Sequence, residues 1–197
     1  RRAFVHENLL SMTESDESLA GNVQSGDTEA FGMLVERYEP KLLRYGRKFL
    51  PRAEDVEDIV QDVFLSAYQN MRSFDIERRF SPWIYRIAHN AFVNAIRKHS
   101  RNPLTMMDFD TFIAHHAVDE SENHEREDAE MKALIERGLE KLSPKSREIL
   151  VLYYLEEFPY QELAEILRVP IGTVGVRLMR AKKEMRAIYQ KMNITSV

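Results

Sequence analysis

The sequence predicts an all-α protein with two helical domains joined by an acidic flexible linker. Apolar residues recur at the three- and four-residue spacings of amphipathic helices in two long segments, residues 30–100 and 131–197. Glycine and proline number only seven each in 197 residues, which is sparse for a turn-rich β protein. No segment shows a convincing apolar–polar alternation of the kind expected of a β-strand.

Residues 30–100 are predicted to form four helices. The apolar faces of the first three carry, in chain order, Phe31, Leu34, Val35 and Tyr38; Leu42, Leu43, Phe49 and Leu50; and Val56, Ile59, Val60, Val63, Phe64 and Ala67. Pro40 marks a bend or the start of the second helix, which runs to Pro51. The fourth helix begins at Ser81-Pro82, a capping residue followed by proline at the first helical position.

Residues 131–197 are predicted to contain a helix-turn-helix unit. A first helix ends at Ser143-Pro144, and Ser143 caps the next one. A short helix over residues 160–167 is followed by a three-residue break, 168–170, and a longer helix. Two helices joined by so tight a turn are typical of helix-turn-helix domains.

The long last helix is predicted to have a packing face and a cationic face. Its packing face carries Ile171, Val174, Leu178, Ala181 and Met185. Its opposite face carries Thr173, Arg177, Arg180 and Lys183. This arrangement suits a helix that enters the major groove of DNA. An ordinary amphipathic surface helix is the alternative, but the preceding helix and turn favour DNA binding.

Charge is unevenly distributed along the chain, whose formal net charge is −4. Residues 30–100 carry 12 basic and 9 acidic side chains, and residues 131–197 carry 12 and 8. Residues 101–130 carry 2 basic and 9 acidic side chains and few periodic apolar residues, which indicates a linker between two mildly basic domains.

Several classes of function are excluded or disfavoured. The absence of cysteine excludes disulfides, thiolate metal sites and a cysteine nucleophile, and it fits a reducing compartment. The longest apolar run spans seven residues, 149–155, far short of a membrane span. His115, His116 and His124 lie in the acidic segment without metal-binding spacing, and no nucleotide-binding or catalytic motif occurs. We expect no metal, no cofactor and no enzymatic activity.

Three segments resemble those of the extracytoplasmic-function (group IV) sigma factors of the sigma-70 family. Residues 55–64, DVEDIVQDVF, resemble the region 2 helix that binds core RNA polymerase. Residues 80–90, FSPWIYRIAHN, resemble the segment that melts and reads the −10 element. Residues 160–174, YQELAEILRVPIGTV, resemble region 4.2, which reads the −35 element.

The resemblance implies an N-terminal extension over residues 1–19, a σ2-like domain over 20–100, the linker over 101–130, and a σ4-like domain over 131–197. The residues implied to dock on core polymerase are Asp55, Asp58, Gln61, Asp62 and Phe64. Those implied at the −10 element are Phe74, Arg79, Phe80, Trp83, Tyr85, Arg86, Asn90, Asn94, Arg97 and Lys98. Those implied at the −35 element are Thr173, Val176, Arg177, Arg180 and Lys183.

Two of these surfaces have ordinary structural alternatives. The aspartates at 55, 58 and 62 share one helical face, which could be a solvated acidic face; carboxylates along one helix converge poorly on a metal ion. The four aromatic residues of the −10 set could be core residues. The arginines and lysine around them favour base stacking with single-stranded DNA, although we expect some of the four to be core.

The predicted function is that of a cytoplasmic transcription initiation factor. It would bind bacterial core RNA polymerase and promoter DNA, without inserting into a membrane, and an anti-sigma factor would mask these surfaces. A stand-alone helix-turn-helix regulator would instead bind promoter DNA tightly without polymerase, at paired half-sites. A purely structural helical module would show no dependence on DNA. The region 2 segments count against both rivals.

Overall fold

The computed structural model describes residues 14–100 and 124–192, with side chains over 14–98 and 131–192. The chain divides into two compact units at the junction of Ala95 and Ile96. Within the described residues there is no β-strand, so the all-α prediction is confirmed. None of the helices in these ranges is long and apolar enough to cross a membrane. His115, His116 and most of the predicted linker lie outside the described residues.

The helices of the first unit are α1 (Asp16–Gln24), α2 (Thr28–Gly46), α3 (Ala53–Asn70) and α4 (Phe80–Ser100), whose last five residues follow the dividing point, with a 3₁₀ turn over Met71–Ser73. Side chains cap the first two: the Ser15 hydroxyl accepts the Ser18 N–H at 3.1 Å, and the Asp27 carboxylate accepts the Glu29 N–H at 2.9 Å. Such caps satisfy N–H groups that have no partner within the helix.

Helix α2 continues through Pro40, where the sequence predicted a bend or a new helix. Proline removes one hydrogen bond of the helix. Tyr38 and Leu42 are both buried on either side of it, so packing holds the helix together at this point. The helix ends at Gly46, and Phe49 and Leu50 are buried in the turn that follows.

Helix α1 extends the first unit toward the N-terminus, beyond the predicted domain start at residue 20. Leu19, Ala20 and Val23 are buried. The Asp16 carboxylate accepts a hydrogen bond from Arg37 at 2.7 Å and another from the Tyr38 hydroxyl at 2.6 Å. Residues 14–19 therefore pack as part of this unit, which reaches further toward the N-terminus than the predicted start at residue 20.

Helix α4 begins at Phe80, one residue before the predicted cap Ser81. The Phe80 N–H donates to the Glu17 carboxylate of α1 at 2.9 Å. An acidic side chain at a helix N-terminus also interacts favourably with the helix dipole. The start of α4 is thus fixed by a helix that lies more than sixty residues earlier in the chain, which local sequence patterns do not reveal.

The helices of the second unit are α5 (His124–Lys141), α6 (Pro144–Leu150), α7 (Tyr160–Leu167) and α8 (Ile171–Lys191), with a π-helical turn over Val151–Leu155. Helix α5 begins seven residues before the predicted domain start, and it includes His124. The Ser143 hydroxyl accepts the Ser146 N–H at 3.4 Å, so the predicted cap of α6 is confirmed. The predicted helix-turn-helix pair is present as α7 and α8.

Two charged side chains tie the helices of the second unit together. The Arg147 guanidinium of α6 donates to the carbonyls of Leu139 and Glu140, each at 2.7 Å, near the end of α5. The Glu184 carboxylate of α8 accepts the Ser143 N–H at 2.9 Å. Hydrogen bonds from Ser146 and Ser143 lower the pKa of Glu184. These bonds satisfy backbone groups at two helix termini and connect α8 to the start of α6.

We predict that Gly46→Ala destabilises the first unit. An added Cβ would lie less than 3 Å from atoms of Phe92 and Val56. Overpacking of this kind costs about 1–3 kcal/mol. The matched control is Gly32→Ala in the same helix, where nothing lies within 4 Å. Alanine there should stabilise the helix by about 0.5–1 kcal/mol. Urea unfolding of both variants measures the two effects, and equal midpoints would contradict the packing described here.

Candidate polymerase and nucleic-acid surfaces

The solvent face of α3 carries the predicted docking carboxylates. Asp58, Gln61 and Asp62 are exposed, and the opposite face of α3 is buried. Asp55 is half-buried, with its carboxylate 3.8 Å from Arg52. Phe64 is 8% exposed and packs edge-on against Phe31, with ring centroids 6.4 Å apart. Phe64 is therefore a core residue, and its prediction as a docking contact is wrong.

An exposed leucine completes this face of α3. Leu65 lies seven residues after Asp58, on the same side of the helix, and is 61% exposed. Leu65 was not among the predicted docking residues, although its helical spacing from Asp58 and Asp62 indicates that it shares their face. Burying a leucine contributes about 1.5–3 kcal/mol. We define the α3 face as Asp58, Gln61, Asp62 and Leu65, an apolar residue surrounded by acidic and polar ones.

Three of the four aromatic residues predicted at the −10 element are core residues. Phe74, Phe80 and Tyr85 are 5%, 1% and 1% exposed. The Phe80 ring lies 5.5 Å from that of Phe74 and 5.2 Å from that of Tyr38, in edge-on contacts. A buried ring has no free face for a base, so the prediction that these three contact DNA is wrong. Their role is to pack the first unit.

Trp83 is the fourth aromatic residue, and it is only half-buried. Its ring centroid lies 5.1 Å from Phe74 and 5.4 Å from Phe80. Two core rings thus hold the indole in place while part of it faces solvent. A large aromatic surface that is fixed before binding loses little conformational entropy when a base stacks on it.

A polar stripe runs along α4 from Trp83. Asn90 and Asn94 are exposed, at helical spacing of seven and eleven residues from Trp83. Arg86 is half-buried within this stripe. The remaining cations of the predicted −10 set are also exposed: Arg79, Arg97 and Lys98.

The segment before α4 is held by side chains of α1. The Gln24 side-chain amide donates to the carbonyl of Met71 at 2.9 Å and to that of Phe74 at 2.7 Å. At the other end, Glu17 accepts the Phe80 N–H. Two side chains therefore fix both ends of the 74–80 segment. These contacts were not predicted, because about fifty to sixty residues separate the partners and no local pattern indicates them.

Helix α8 presents a different outward face from the one predicted. Thr173 and Arg177 are half-buried, whereas Arg180 and Lys183 are exposed. Val176 is 41% exposed, and Met179, which was not predicted, is 65% exposed. The predicted cationic stripe lies to one side of the outward face of α8. The centre of that outward face carries Val176 and Met179, followed by Lys183.

The turn before α8 is built without side-chain caps. Arg168 ends α7 in the left-handed conformation, with φ 51°, and Pro159 and Pro170 precede the two helices. Tyr160 stacks edge-on with Tyr153, with ring centroids 5.6 Å apart. The Lys182 ammonium lies 5.3 Å from the Tyr154 ring, and a hydrogen bond with Tyr154 raises the pKa of Lys182. Tyr153 and Tyr154 of the π-helical turn thus contact α7 and α8, respectively.

Comparisons with known proteins match both units. Sigma-70 region 2 matches residues 34–102, and Sigma-70, region 4 matches residues 132–185. The chain is 34% identical to the ECF RNA polymerase sigma factor SigW of Bacillus subtilis over 83% of this chain and 91% of that protein. It is 31% identical to the RNA polymerase sigma-H factor of Pseudomonas aeruginosa, over 91% of this chain and 96% of that protein. The solved structure of CnrH in complex with the cytosolic domain of CnrY is 28% identical, with a TM-score of 0.66, and covers 90% of this chain and 99% of that one.

We predict that Gln24→Ala loosens the 74–80 segment. Two carbonyls lose their donor, and each such hydrogen bond contributes about 0.5–1.5 kcal/mol. Hydrogen exchange and limited proteolysis should speed up locally at residues 71–80. The matched control is Gln69→Ala, an exposed glutamine of α3, which should leave this segment unchanged. Identical exchange rates in both variants would show that Gln24 does not hold the segment.

Proposed function

The chain belongs to the extracytoplasmic-function sigma factors of the sigma-70 family, which are non-enzymatic transcription initiation factors, and we propose that it directs core RNA polymerase through three surfaces. The observation that carries this proposal is the exposure of three separate faces on α3, α4 and α8, in the regions that match region 2 and region 4. We assign the σ2 domain to the first unit and the σ4 domain to the helices α5–α8.

The α3 face is the proposed contact with core polymerase. Its carboxylates supply orientation and a fast encounter with a basic partner surface. Leu65 supplies apolar area that becomes buried on binding. A solvated acidic face explains the aspartates but not an exposed leucine among them, which supports docking over that alternative.

The α4 face is the proposed contact with the melted −10 strand. Trp83 offers the stacking surface, and stacking is worth about 1–3 kcal/mol per base. Asn90 and Asn94 offer hydrogen bonds to base edges, and the exposed cations offer contacts to phosphates. The buried rings of Phe74 and Phe80 act indirectly, because they fix the position of the indole.

Helix α8 is the proposed reader of the −35 element, in the manner of a helix-turn-helix recognition helix. Arg180 is placed to contact a phosphate or a base edge, and Lys183, which lies further from the start of the helix, is placed to contact a phosphate. The half-buried Arg177 and Thr173 reach DNA only along the edge of the helix.

We propose further that the protein acts in the cytoplasm and that an anti-sigma factor controls it. CnrH, which shares the fold, has been solved with the cytosolic domain of another protein bound. Each proposed surface is exposed in the isolated chain, so a protein that covers one of them blocks either polymerase docking or promoter contact.

Core polymerase should be required for tight promoter binding. Residues 30–100 and 131–192 are only mildly basic, and phosphate neutralisation supplies most non-specific affinity for DNA. We predict weak binding by the chain alone at physiological salt and tight, sequence-specific binding with core present. A salt titration of promoter binding with and without core polymerase measures this. Nanomolar specific binding by the isolated chain would favour a stand-alone regulator instead.

Charge-neutral variants test the α3 face within the same assay. The double variant Asp58→Asn, Asp62→Asn should weaken core binding about tenfold, because hydrogen bonds to charged groups contribute about 1.5–3 kcal/mol each and polar ones are weaker. The control is Glu36→Gln, an exposed carboxylate on α2. An equal effect of both changes would show that overall charge, and not this face, governs docking.

Trp83→Ala should slow the formation of the open promoter complex. Loss of one stacking partner removes about 1–3 kcal/mol from strand capture. A pre-melted −10 bubble should restore most of the rate, and Trp83→Phe should retain part of the activity because it keeps a ring. By contrast, Phe80→Ala should unfold the first unit, at a cost of about 3–5 kcal/mol. Equal defects of Trp83→Ala on duplex and bubble templates would indicate a folding role.

A further inference from the structure

The outward face of α8 carries an apolar patch where a DNA-binding helix usually presents polar groups. The patch consists of Val176 and Met179, which are 41% and 65% exposed. Gly172 lies one turn earlier on the same side, and nothing lies within 4 Å of the position where its Cβ would be. Large apolar side chains that remain exposed together on a surface commonly mark a binding site.

Cations flank this apolar patch. Arg180 and Lys183 are exposed on the next turn, and Arg177 is half-buried at the side. The patch is thus apolar in the middle and positive around its edge. This matches the major groove of DNA, where phosphates line the edges and base edges form the floor.

The floor of the major groove offers one kind of apolar group, the C5-methyl group of thymine. We propose that Val176 and Met179 read thymine methyl groups and so select A·T pairs within the −35 element. This inference rests on the proposed function of α8 as the −35 reader, and it names the base chemistry that this helix recognises.

Local geometry favours close approach of α8 to the floor of the major groove near Val176. Residues near the N-terminus of a recognition helix are the ones that contact base edges, and Val176 lies in the second turn of α8. Gly172, which is exposed one turn before Val176, has no side chain that would hold the helix away from the groove floor. Met179 is one turn further on, and its flexible side chain can adapt to a methyl group at more than one position.

The thymine methyl can be removed without any other change to the base, by using deoxyuridine. We would first select promoters with the holoenzyme from a random library and then replace each −35 thymine singly by deoxyuridine. One or two positions should lose about fourfold in promoter binding and transcription, since burying one methyl-sized group contributes about 0.8 kcal/mol. Deoxyuridine in the spacer should have no effect.

Variants of Val176 and Met179 test whether the apolar patch causes the deoxyuridine effect. Val176→Ser and Met179→Gln should each bind the thymine promoter more weakly and lose sensitivity to deoxyuridine at one position. Lys183→Ala is the control: it should weaken all templates alike and keep the deoxyuridine effect. These side chains are exposed, so thermal unfolding should stay unchanged, which separates recognition from folding.

Two outcomes would overturn the inference while leaving the proposed function intact. One is unchanged activity with deoxyuridine at every −35 position, on a promoter whose transcription still requires the −35 element. The other is a selected −35 element without A·T pairs. Transcription that does not depend on any −35 sequence would, separately, contradict the proposed function of α8.

Discussion

The buried ring of Phe80 is the interaction on which the first unit depends. It contacts the rings of Tyr38, Phe74 and Trp83 at centroid distances of 5.2, 5.5 and 5.4 Å. Its backbone N–H donates to Glu17. One residue therefore joins α1, α2 and the start of α4, and it supports the indole that faces solvent. Because these rings are densely packed, a change in any one of them shifts the others.

Hydrogen bonds to α2 and to the segment before α4 explain why α1 belongs to the first unit. Asp16 bonds to Arg37 and Tyr38 of α2, and Gln24 bonds to two carbonyls ahead of α4. Burial, together with the neighbouring Asp16 carboxylate, raises the pKa of Tyr38 above its ordinary value, so its hydroxyl remains protonated as a donor. Side chains of α1 therefore help to fix the start of α4.

Sequence patterns predicted most of the fold, because amphipathic periodicity reflects burial directly. The helix-turn-helix pair, the Ser143 cap and the exposed carboxylates of α3 follow from local spacing. The contacts of Gln24 and Glu17 could not be predicted, since their partners are about fifty to sixty residues away. Nor does residue type separate Trp83 from Phe80: both are aromatic, and only packing determines which ring keeps a solvent-facing edge.

In helix α8, too, residue type alone does not determine which side chains face solvent. The charged stripe was identified from residue type, yet the direction in which a helix faces is set by its buried side, formed by Val174, Leu178 and Ala181. With that side fixed, Val176 and Met179 point outward and Arg177 turns toward the flank. In the proposed −35 contact, the cations at the edge would provide affinity that is largely independent of sequence. The apolar centre can discriminate between bases, because thymine is distinguished from cytosine in the groove partly by its methyl group. In the proposed −35 contact, specificity and affinity are thus divided between different side chains of one helix.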